Sequence, residues 1–373
     1  MGLLMKIGIL FLNIVYFFYK FFPDKNQIAF ISRQSNEISV DYFLLKEELK
    51  KKAPQIAVVE MYKMIPQTIS GKIKYVFYIL GPQMYVLATS KVAILDGYSI
   101  AVSVLKHKKE LKIVQMWHAM GSLKCFGYAA IGTEEGSERK TAEYFKMHKN
   151  YDYILASSKA CIRPLSEAFG NPVEKFVVMP LPRTDLITDY VYSEQKRNQI
   201  LKQYPEIEVK KNILYAPTFR KKSDMLEAVE QLIQVVDYEK YNLIVKLHPL
   251  VQKHLDSSQV LPMEDYDSWE LLSIADYVVT DYSAFIFEAA LANLPIIFYT
   301  FDYDEYKNKR GFLIDYEKEI PGKMCRTAEE VIGEIENDEV DIRRISAFAY
   351  KYVDSGNRCT EKLARFLIEL CQG

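Results

Sequence analysis

The chain has 373 residues, which suits two domains of ordinary size better than one hydrophobic core. Hydrophobic residues make up 49% and charged residues 26%, so the composition predicts a folded globular protein. The formal net charge of −1 argues against a nucleic-acid-binding protein, and five scattered cysteines with five dispersed histidines argue against a disulfide framework or a zinc site.

Residues 1–22 are almost wholly apolar, and aromatic side chains crowd their carboxyl end beside Lys20. The segment is borderline for a bilayer span, which needs roughly 20 apolar residues. Phe21-Phe22-Pro23-Asp24 offers no small residues for a signal-peptidase site. We therefore expect residues 1–22 to form a helix that associates with a membrane surface; a helix packed on its own domain is the alternative.

Apolar runs alternate with helical patterns over residues 23–192, which predicts a first α/β lobe with a parallel sheet. The predicted strands are 28–31, 56–61, 92–95, 113–117, 153–156 and 176–179. The predicted helices are 41–52, 72–89, 138–149 and 159–169.

The pattern restarts over residues 193–354, which predicts a second α/β lobe after a polar boundary at 193–211. Its predicted strands are 212–216, 243–247, 277–280 and 296–299, and its predicted helices are 224–236, 269–274, 285–292 and 340–353. A last helix, 360–370, lies in a separate carboxyl-terminal segment, 355–373. Two doubly wound lobes bind ligands in the cleft where the carboxyl ends of their strands face each other.

Polar residues follow four of the predicted strands. His118, after the fourth strand, is suited to proton transfer near neutral pH; Gly121 permits a tight turn and Lys124 can meet a phosphate. Thr218 and Arg220 follow strand 212–216, and the planar guanidinium matches a phosphate.

Lys246 and His248 share one face of strand 243–247, because side chains alternate along a strand. Thr280, Asp281, Ser283 and Ala284 lie where strand 277–280 gives way to a helix, a position typical both of N-caps and of anion sites. No P-loop, G-x-G-x-x-G or G-x-S-x-G motif is present, which disfavours NTPases, dinucleotide dehydrogenases and α/β-hydrolases.

Six segments, taken in order, resemble the CDP-glycerol glycerophosphotransferase family, the teichoic-acid primases and polymerases of Gram-positive bacteria. They are Trp117-His118-Ala119-x-Gly121-x-x-Lys124, residues 212–220, Lys246-Leu247-His248-Pro249, Thr280-Asp281-Tyr282-Ser283-Ala284, residues 295–299 and Lys309-Arg310-Gly311-Phe312. Many members have two serines where this chain has Ser283-Ala284, so one possible phosphate hydroxyl is missing.

The resemblance implies two Rossmann-like lobes in a GT-B-like arrangement at the cytoplasmic face of the cell membrane, as a peripheral or monotopic protein. It implies transfer of glycerol phosphate or ribitol phosphate from a CDP-polyol to a lipid-linked saccharide acceptor, with release of CMP. His118 and His248 are then expected to be catalytic. Gly121 and Lys124 are expected to bind the acceptor, and the donor is expected to contact Thr218, Arg220, Lys246, Thr280, Asp281, Ser283 and Ala284.

No cofactor is implied, although a Mg²⁺ ion can accompany the substrate, and no nucleic-acid partner is expected. One alternative is a GT-B glycosyltransferase using a nucleotide sugar, for which Asp281 and Glu288 would be the acidic pair. The other is a catalytically inactive membrane assembly protein. The sequence leaves open the choice of polyol, single addition or polymerisation, and the oligomeric state.

Overall fold

The computed structural model describes residues 2–220, 224–247, 259–261, 263–337 and 340–373. The chain divides into two compact units. The first comprises Met1–His118, Phe126–Arg183 and Gly356–Gly373, and the second comprises Ala119–Cys125 and Thr184–Ser355. Both are parallel α/β domains, which confirms the predicted fold class at that level.

The first unit is built on six parallel strands: β1 (Lys25–Ser32), β2 (Ala57–Tyr62), β3 (Ser90–Leu95), β4 (Lys112–Gln115), β5 (Tyr153–Ala156) and β6 (Phe176–Val178). They pair in the order β2-β1-β3-β4-β5-β6. The neighbouring strands β1 and β3 are buried along most of their length and contain the apolar runs 28–31 and 92–95, as expected for a parallel sheet covered on both faces.

Seven helices accompany this sheet before the chain enters the second unit for its main part. They are α1 (Gly2–Tyr19), α2 (Val40–Lys52), α3 (Ile69–Tyr78), α4 (Met84–Thr89), α5 (Ile100–Val104), α6 (Arg139–Tyr144) and α7 (Lys159–Phe169). Side-chain caps fix two of the starts: Ser39 accepts from the main-chain N–H of Tyr42 before α2, and Thr68 accepts from Gly71 before α3.

The second unit has strands β7 (Lys211–Ala216), β8 (Tyr241–Val245), β9 (Val260–Leu261), β10 (Tyr277–Thr280), β11 (Ile296–Tyr299) and β12 (Met324–Cys325). They are parallel, in the order β12-β11-β10-β7-β8-β9. Its helices are α8 (Thr184–Ile187), α9 (Tyr190–Gln203), α10 (Asp224–Val235), α11 (Ser268–Leu271), α12 (Phe285–Leu291), α13 (Tyr303–Lys309), α14 (Tyr316–Glu319), α15 (Ala328–Asn337) and α16 (Ile342–Tyr352).

The last helix, α17 (Cys359–Gln372), belongs to the first unit. Its Glu361 pairs with Lys52 of α2 at 2.9 Å, and Lys91 of β3 donates to the main-chain oxygen of Cys371 at 2.8 Å. The buried face of the helix includes Leu363 and Leu367. The carboxyl-terminal segment therefore completes the core of the amino-terminal unit.

Both sheets contain one point at which the strand order reverses. In the first unit the reversal lies between β1 and β3, and in the second between β7 and β10. Ligands of open α/β sheets bind outside the carboxyl ends of the strands at such a switch point. We therefore expect ligand sites at the residues that follow β1 and β3 in the first unit and β7 and β10 in the second.

The polar stretch 193–211, predicted to be a boundary, is largely the helix α9. Asp189 caps it by accepting from Val191 and Tyr192. The helix packs on the second unit, where Lys196 pairs with Glu270 at 2.6 Å and the Tyr192 ring stacks on Trp269. The units accordingly divide after Arg183, whereas the sequence placed the division after residue 192.

Two predicted helices differ from those observed. The prediction 138–149 is wrong beyond Tyr144, because Lys146, His148 and Asn150 have left-handed backbone angles; the Asn150 side chain instead donates to the main-chain oxygens of the α5 end. The prediction 72–89 covers α3, a π-helical segment at Ile79–Gln83 that contains Pro82, and α4.

Residues 2–19 form the predicted amino-terminal helix, α1, with one face packed on the first unit. Tyr16 is buried and its hydroxyl lies 3.1 Å from Nδ1 of His107, while Asn13 exchanges hydrogen bonds with the main chain of Val104 and Lys106. Within the described residues, none of the helices has the length and apolar character needed to span a bilayer.

Candidate active site

His118 lies just beyond the carboxyl end of β4, exposed on the first unit. Its Nδ1 is 2.8 Å from the main-chain oxygen of Asp96, and the side-chain nitrogen of Gln34 is 3.2 Å from the same ring atom. A carbonyl oxygen can only accept, so the shorter contact favours the tautomer with the proton on Nδ1 and the lone pair of the neutral ring on Nε2. A bond donated by the Gln34 amide to Nδ1 would need the opposite tautomer. An imidazole held in this tautomer can take a proton at Nε2 from an approaching hydroxyl.

The loops after β1 and β3 form a polar cluster beside His118. The main-chain N–H of Gln34 donates to the Ser32 hydroxyl at 3.1 Å, and that hydroxyl is hydrogen-bonded to the Asp96 carboxyl. Burial of Asp96, reinforced by the charge of Asp41, raises the pKa of its carboxyl to about 7 although the Ser32 bond opposes the shift. Among the described residues, Oδ1 of Asp96 has no hydrogen-bond partner.

Arg183 fixes the main chain of His118 from the other side. Its Nη2 donates to the His118 carbonyl at 3.0 Å. Its Nη1 forms an ion pair with the buried carboxylate of Asp41, which also accepts from the Arg183 main-chain N–H at 2.9 Å. Asp41 lies in the first turn of α2. The position of the imidazole thus depends on an ion pair between α2 and the end of the first unit's main segment.

Trp117 adopts a left-handed backbone conformation, with φ of 65°, immediately before His118. Such angles are uncommon for a bulky residue, and they persist where the surroundings impose them. The indole stacks on Phe126 at 4.4 Å and meets Phe169 edge-on at 5.2 Å. His148 lies in the same aromatic cluster, where burial lowers the pKa of its imidazole to about 3, so it is neutral.

The residues that follow His118 belong to the second unit. Gly121 has φ of 63°, and a Cβ there would lie 2.4 Å from the ring of Phe287, so both the turn and the packing require glycine. Lys124 forms an antiparallel bridge with Phe312, and the main-chain N–H of Cys125 donates to the Gly311 oxygen at 3.1 Å. Two of the motifs in the family resemblance therefore meet here, and the acceptor contacts predicted for Gly121 and Lys124 stay predictions.

Arg220 is held between two carboxylates. It makes two parallel bonds of 2.9 Å to Asp302, one of 2.7 Å to Asp281 and one of 2.6 Å to the Thr218 carbonyl. These bonds use four of its five N–H groups. Burial disfavours its charge, but Asp281 and Asp302 outweigh that effect and raise the pKa of Arg220. The guanidinium also lies over the rings of Tyr282, Phe301 and Tyr306.

In this arrangement one N–H group of Arg220 is left for a phosphate, and a contact through two of its N–H groups would require an ion pair to open. The direct phosphate contact predicted for Arg220 stays a prediction. Asp281 also stabilises the loops. Its fully buried carboxylate accepts hydrogen bonds from the main-chain N–H groups of Thr218 and Tyr282. Thr280 is fully buried and donates to the Ala216 oxygen at 2.8 Å. Both side chains tie β7 to β10 at the switch point, so neither is open to a donor in this structure.

Ser283, Thr218 and Lys246 are partly exposed near the carboxyl ends of the same sheet. Ser283 accepts from the N–H of Phe285 at 3.3 Å, and Ala284 occupies the N-cap position before α12. The Thr218 hydroxyl has no hydrogen-bond partner within the described part of the chain. Lys246 donates to the Glu264 carbonyl at 2.7 Å. His248 lies outside the described residues.

Sequence reasoning missed Gln34, Asp96 and Asp302, and with them the pair Asp41–Arg183. The signal for the first three was present, since Gln34 follows β1, Asp96 follows β3 and Asp302 follows β11. Reading the residues after every strand, rather than after four of them, would have found them. Across the described ranges, no group of three or more His, Cys, Asp or Glu is arranged to hold a metal ion.

Comparisons with known proteins identify the family to which the chain is similar. The family model for CDP-glycerol:poly(glycerophosphate) glycerophosphotransferase matches residues 14–369. The chain is 29% identical to the teichoic acid ribitol-phosphate primase of Bacillus spizizenii, over 92% of this chain and 90% of that protein. It is 34% identical to the teichoic acid glycerol-phosphate primase of Bacillus subtilis, over 77% and 76%.

Among solved structures, the wall teichoic acid polymerase TagF matches with a TM-score of 0.74 at 19% identity, over 100% of this chain and 96% of that chain. At this identity the likeness bears on the fold, which it supports over the full length. The family model covers nearly all of the sequence, including all six segments that carried the resemblance. The chain therefore belongs to the CDP-glycerol:poly(glycerophosphate) glycerophosphotransferase family.

Proposed function

We propose that this protein transfers a polyol phosphate, glycerol phosphate or ribitol phosphate, from a CDP-polyol to a hydroxyl of a lipid-linked glycopolymer acceptor. The acceptor oxygen forms a bond to the phosphorus that carries the polyol, the bond from that phosphorus to the bridging oxygen breaks, and CMP leaves. The match to the family over residues 14–369 is the observation that carries this proposal.

His118 is the base in this reaction. Its Nε2 holds the lone pair because Nδ1–H is committed to the Asp96 carbonyl. The acceptor hydroxyl gives its proton to Nε2 as the oxygen attacks. The buried pair Arg183–Asp41 keeps the His118 main chain in place and so limits the reorientation needed for each turnover. A general base of this kind contributes about a hundred- to ten-thousand-fold in rate.

The second unit binds the donor around the β7–β10 switch point. The partly exposed Ser283 offers a hydroxyl, and Lys246 offers a positive charge, to the pyrophosphate oxygens. The Thr218 hydroxyl is buried and has no partner within the described residues, so it reaches the same oxygens only if its loop moves. The ion-paired Arg220 holds together the two loops that carry Thr218 and Ser283, because it is bonded to both Thr218 and Asp281. His248 is assigned to the same donor phosphates on sequence alone. Phosphoryl transfer asks mainly for positioning and charge stabilisation, which this set supplies.

The protein acts at the cytoplasmic face of the cell membrane as a peripheral or monotopic protein. Helix α1 supports this proposal, because the face turned away from the first unit exposes large apolar side chains that include Leu10, Phe11, Ile14, Phe17 and Phe18. A soluble surface helix normally turns this stripe inward. Contact with lipid removes it from water and brings the first unit to where a lipid-linked acceptor resides.

The test is a donor screen with nucleotide release as the readout. Purified protein is incubated with CDP-glycerol, CDP-ribitol or UDP-N-acetylglucosamine and a water-soluble analogue of a lipid-linked disaccharide acceptor. We expect CMP release from one CDP-polyol and a loss of at least about a hundredfold in the His118→Asn variant. UDP release would instead establish a sugar transferase, and silence with every donor from folded protein would establish an inactive assembly protein.

A further inference from the structure

Helix α3 turns large apolar side chains toward solvent. Ile69 is 80% exposed, Ile73 55%, Val76 50% and Phe77 68%. The spacing i, i+4, i+7 and i+8 puts them on one face of the helix. The opposite face is anchored by the buried Tyr75. A contiguous exposed apolar face marks an interaction site in a soluble protein.

The sequence segments that contain α3 and α1 carry charge of one sign. Residues 61–95 contain four lysines and no aspartate or glutamate, and residues 1–23 contain two lysines and again no acidic residue. Lys72 and Lys74 are exposed on α3 between the apolar residues. Basic side chains beside inserted apolar ones are attracted to anionic phospholipid head groups. A partner protein would fit the α3 surface equally well only if its own contact surface were both apolar and acidic.

Helix α1 packs against the segment that continues α3. The π-helical segment Ile79–Gln83 and α4 directly continue α3, and α1 packs against both. The ring of Tyr85 in α4 contacts the ring of Tyr19, the last residue of α1, at 6.4 Å and that of Phe22, three residues beyond it, at 5.3 Å. The exposed faces of α1 and α3 therefore flank a shared packed layer.

Helix α3 also lies at the reactive edge of the first sheet. It follows the carboxyl end of β2, and the carboxyl ends of parallel strands share one edge, so α3 begins on the side where His118 stands. The side chain of Arg33, between Ser32 and Gln34, is close enough for its charge to act on the Tyr75 hydroxyl. The buried face of α3 is thus within electrostatic range of the loop that contacts His118.

We infer that α3 is a second membrane-inserting element, which together with α1 seats the first unit on an anionic phospholipid bilayer. The inference rests on the membrane location in the proposed function and extends it to a second helix and a lipid class. Since α3 adjoins the His118 edge, its insertion sets the height of the imidazole above the head groups, where the hydroxyl of a lipid-linked acceptor arrives.

Vesicle binding tests the inference directly. The full chain is sedimented with phosphatidylcholine vesicles and with vesicles of three parts phosphatidylcholine to one part phosphatidylglycerol. We expect Ile73→Ser with Phe77→Ser to weaken binding to the mixed vesicles at least about tenfold, because two large side chains no longer leave water. The control is Val209→Ser with Tyr350→Ser, which removes side chains that are 82% and 86% exposed in the second unit.

The lipid class is tested with charge variants. Lys72→Gln with Lys74→Gln should weaken binding to the anionic vesicles by about fivefold per lysine and leave binding to pure phosphatidylcholine unchanged. Lys202→Gln with Lys362→Gln, two exposed lysines on other helices, is the matched control. Equal losses in the two charge variants would overturn the preference for an anionic lipid surface.

Two further readouts separate this inference from the proposed function. CMP release with the water-soluble acceptor should be unchanged in the α3 variants, whereas release with a vesicle-embedded acceptor should fall with binding. If vesicle binding is unchanged in Ile73→Ser with Phe77→Ser, the role of α3 is wrong even though the transferase stands. If the variant instead converts a dimer to a monomer in sedimentation velocity, with vesicle binding intact, the face is an interface between copies of the chain.

Discussion

Asp96 is a carboxyl whose protonation couples stability to pH. It is buried beside Asp41, and its pKa is raised to about 7. The unfolded chain ionises an aspartate near pH 4, so between about pH 4 and pH 7 the folded protein binds more protons than the unfolded chain. Stability therefore falls as the pH rises through this window, and the loss is complete above the folded-state pKa.

The first prediction follows for Asp96→Asn. An amide cannot ionise, so the variant should lose most of this pH dependence and be more stable than the parent at pH 8, by on the order of 1 kcal/mol. Urea unfolding at pH 5 and pH 8 measures the difference. Asp304→Asn, which alters an exposed carboxyl, is the control. A parent protein whose stability is flat between these pH values would contradict the prediction.

The second prediction concerns Arg220, whose two roles can be told apart. If the ion pairs with Asp281 and Asp302 hold the loops, Arg220→Met leaves a fully buried carboxylate uncompensated and should cost about 3–5 kcal/mol of folding stability. Adding Asp302→Asn should recover part of that loss. A variant with parental stability but a raised KM for the donor would instead establish direct contact with the phosphates.

The structure requires glycine at position 121, in the turn after His118, but not at position 333, inside helix α15. At Gly121 a methyl group meets the Phe287 ring at 2.4 Å in a left-handed backbone, whereas at Gly333, inside α15, a Cβ finds open space. The third prediction is that Gly121→Ala destabilises the protein by about 1–3 kcal/mol, while Gly333→Ala stabilises it by about 0.5–1 kcal/mol. Thermal unfolding of both variants checks the signs, and equal effects would show that the packing at Phe287 yields.

Local periodicity predicted the central strands and the regular helices well. The strand predicted at 277–280, the strand at 296–299 and the helix at 159–169 have the bounds observed for β10, β11 and α7. It failed where tertiary contacts replace local preference. The stretch 146–150 reads as helix, but Asn150 satisfies three main-chain oxygens of another segment. The polar stretch at 193–211 lacks an obvious apolar face, yet it contains α9.

The candidate site was only partly accessible to sequence reasoning. The position of His118 and Ser283 after strands is a local property, and the pattern shows it. Strand order is not local: the pairing of β1 with β3, and of β7 with β10, cannot be read from spacing, so the partners across each switch point stay hidden. The bonds from Arg220 to Asp302, 82 residues apart, are an example of a contact that local sequence patterns cannot predict.

The two units are interleaved along the chain, and α17 is the clearest case. Leu367 is fully buried although it is encoded after the whole second unit. The fourth prediction is that Leu367→Ala costs about 2–4 kcal/mol and raises amide hydrogen exchange in β1 and β3 without changing β7 and β10. Lys362→Ala on the exposed face of α17 should do neither. Equal exchange increases in both sheets would mean that the units unfold together.

Because α17 belongs to the first unit but follows the second unit in the sequence, it also determines the order in which the two units can complete their folding during translation. Residues 356–373 leave the ribosome after residues 184–355, so the second unit has its complete main segment before the first unit can cover α2 and β3. During translation the first unit therefore exposes the apolar surface of α2 and β3 that α17 later covers. The exposed apolar side chains of α1 and α3 add to this surface. A nearby bilayer or a chaperone that shields such surfaces during translation would raise the yield of the full chain, whereas a protein released early would be prone to aggregate.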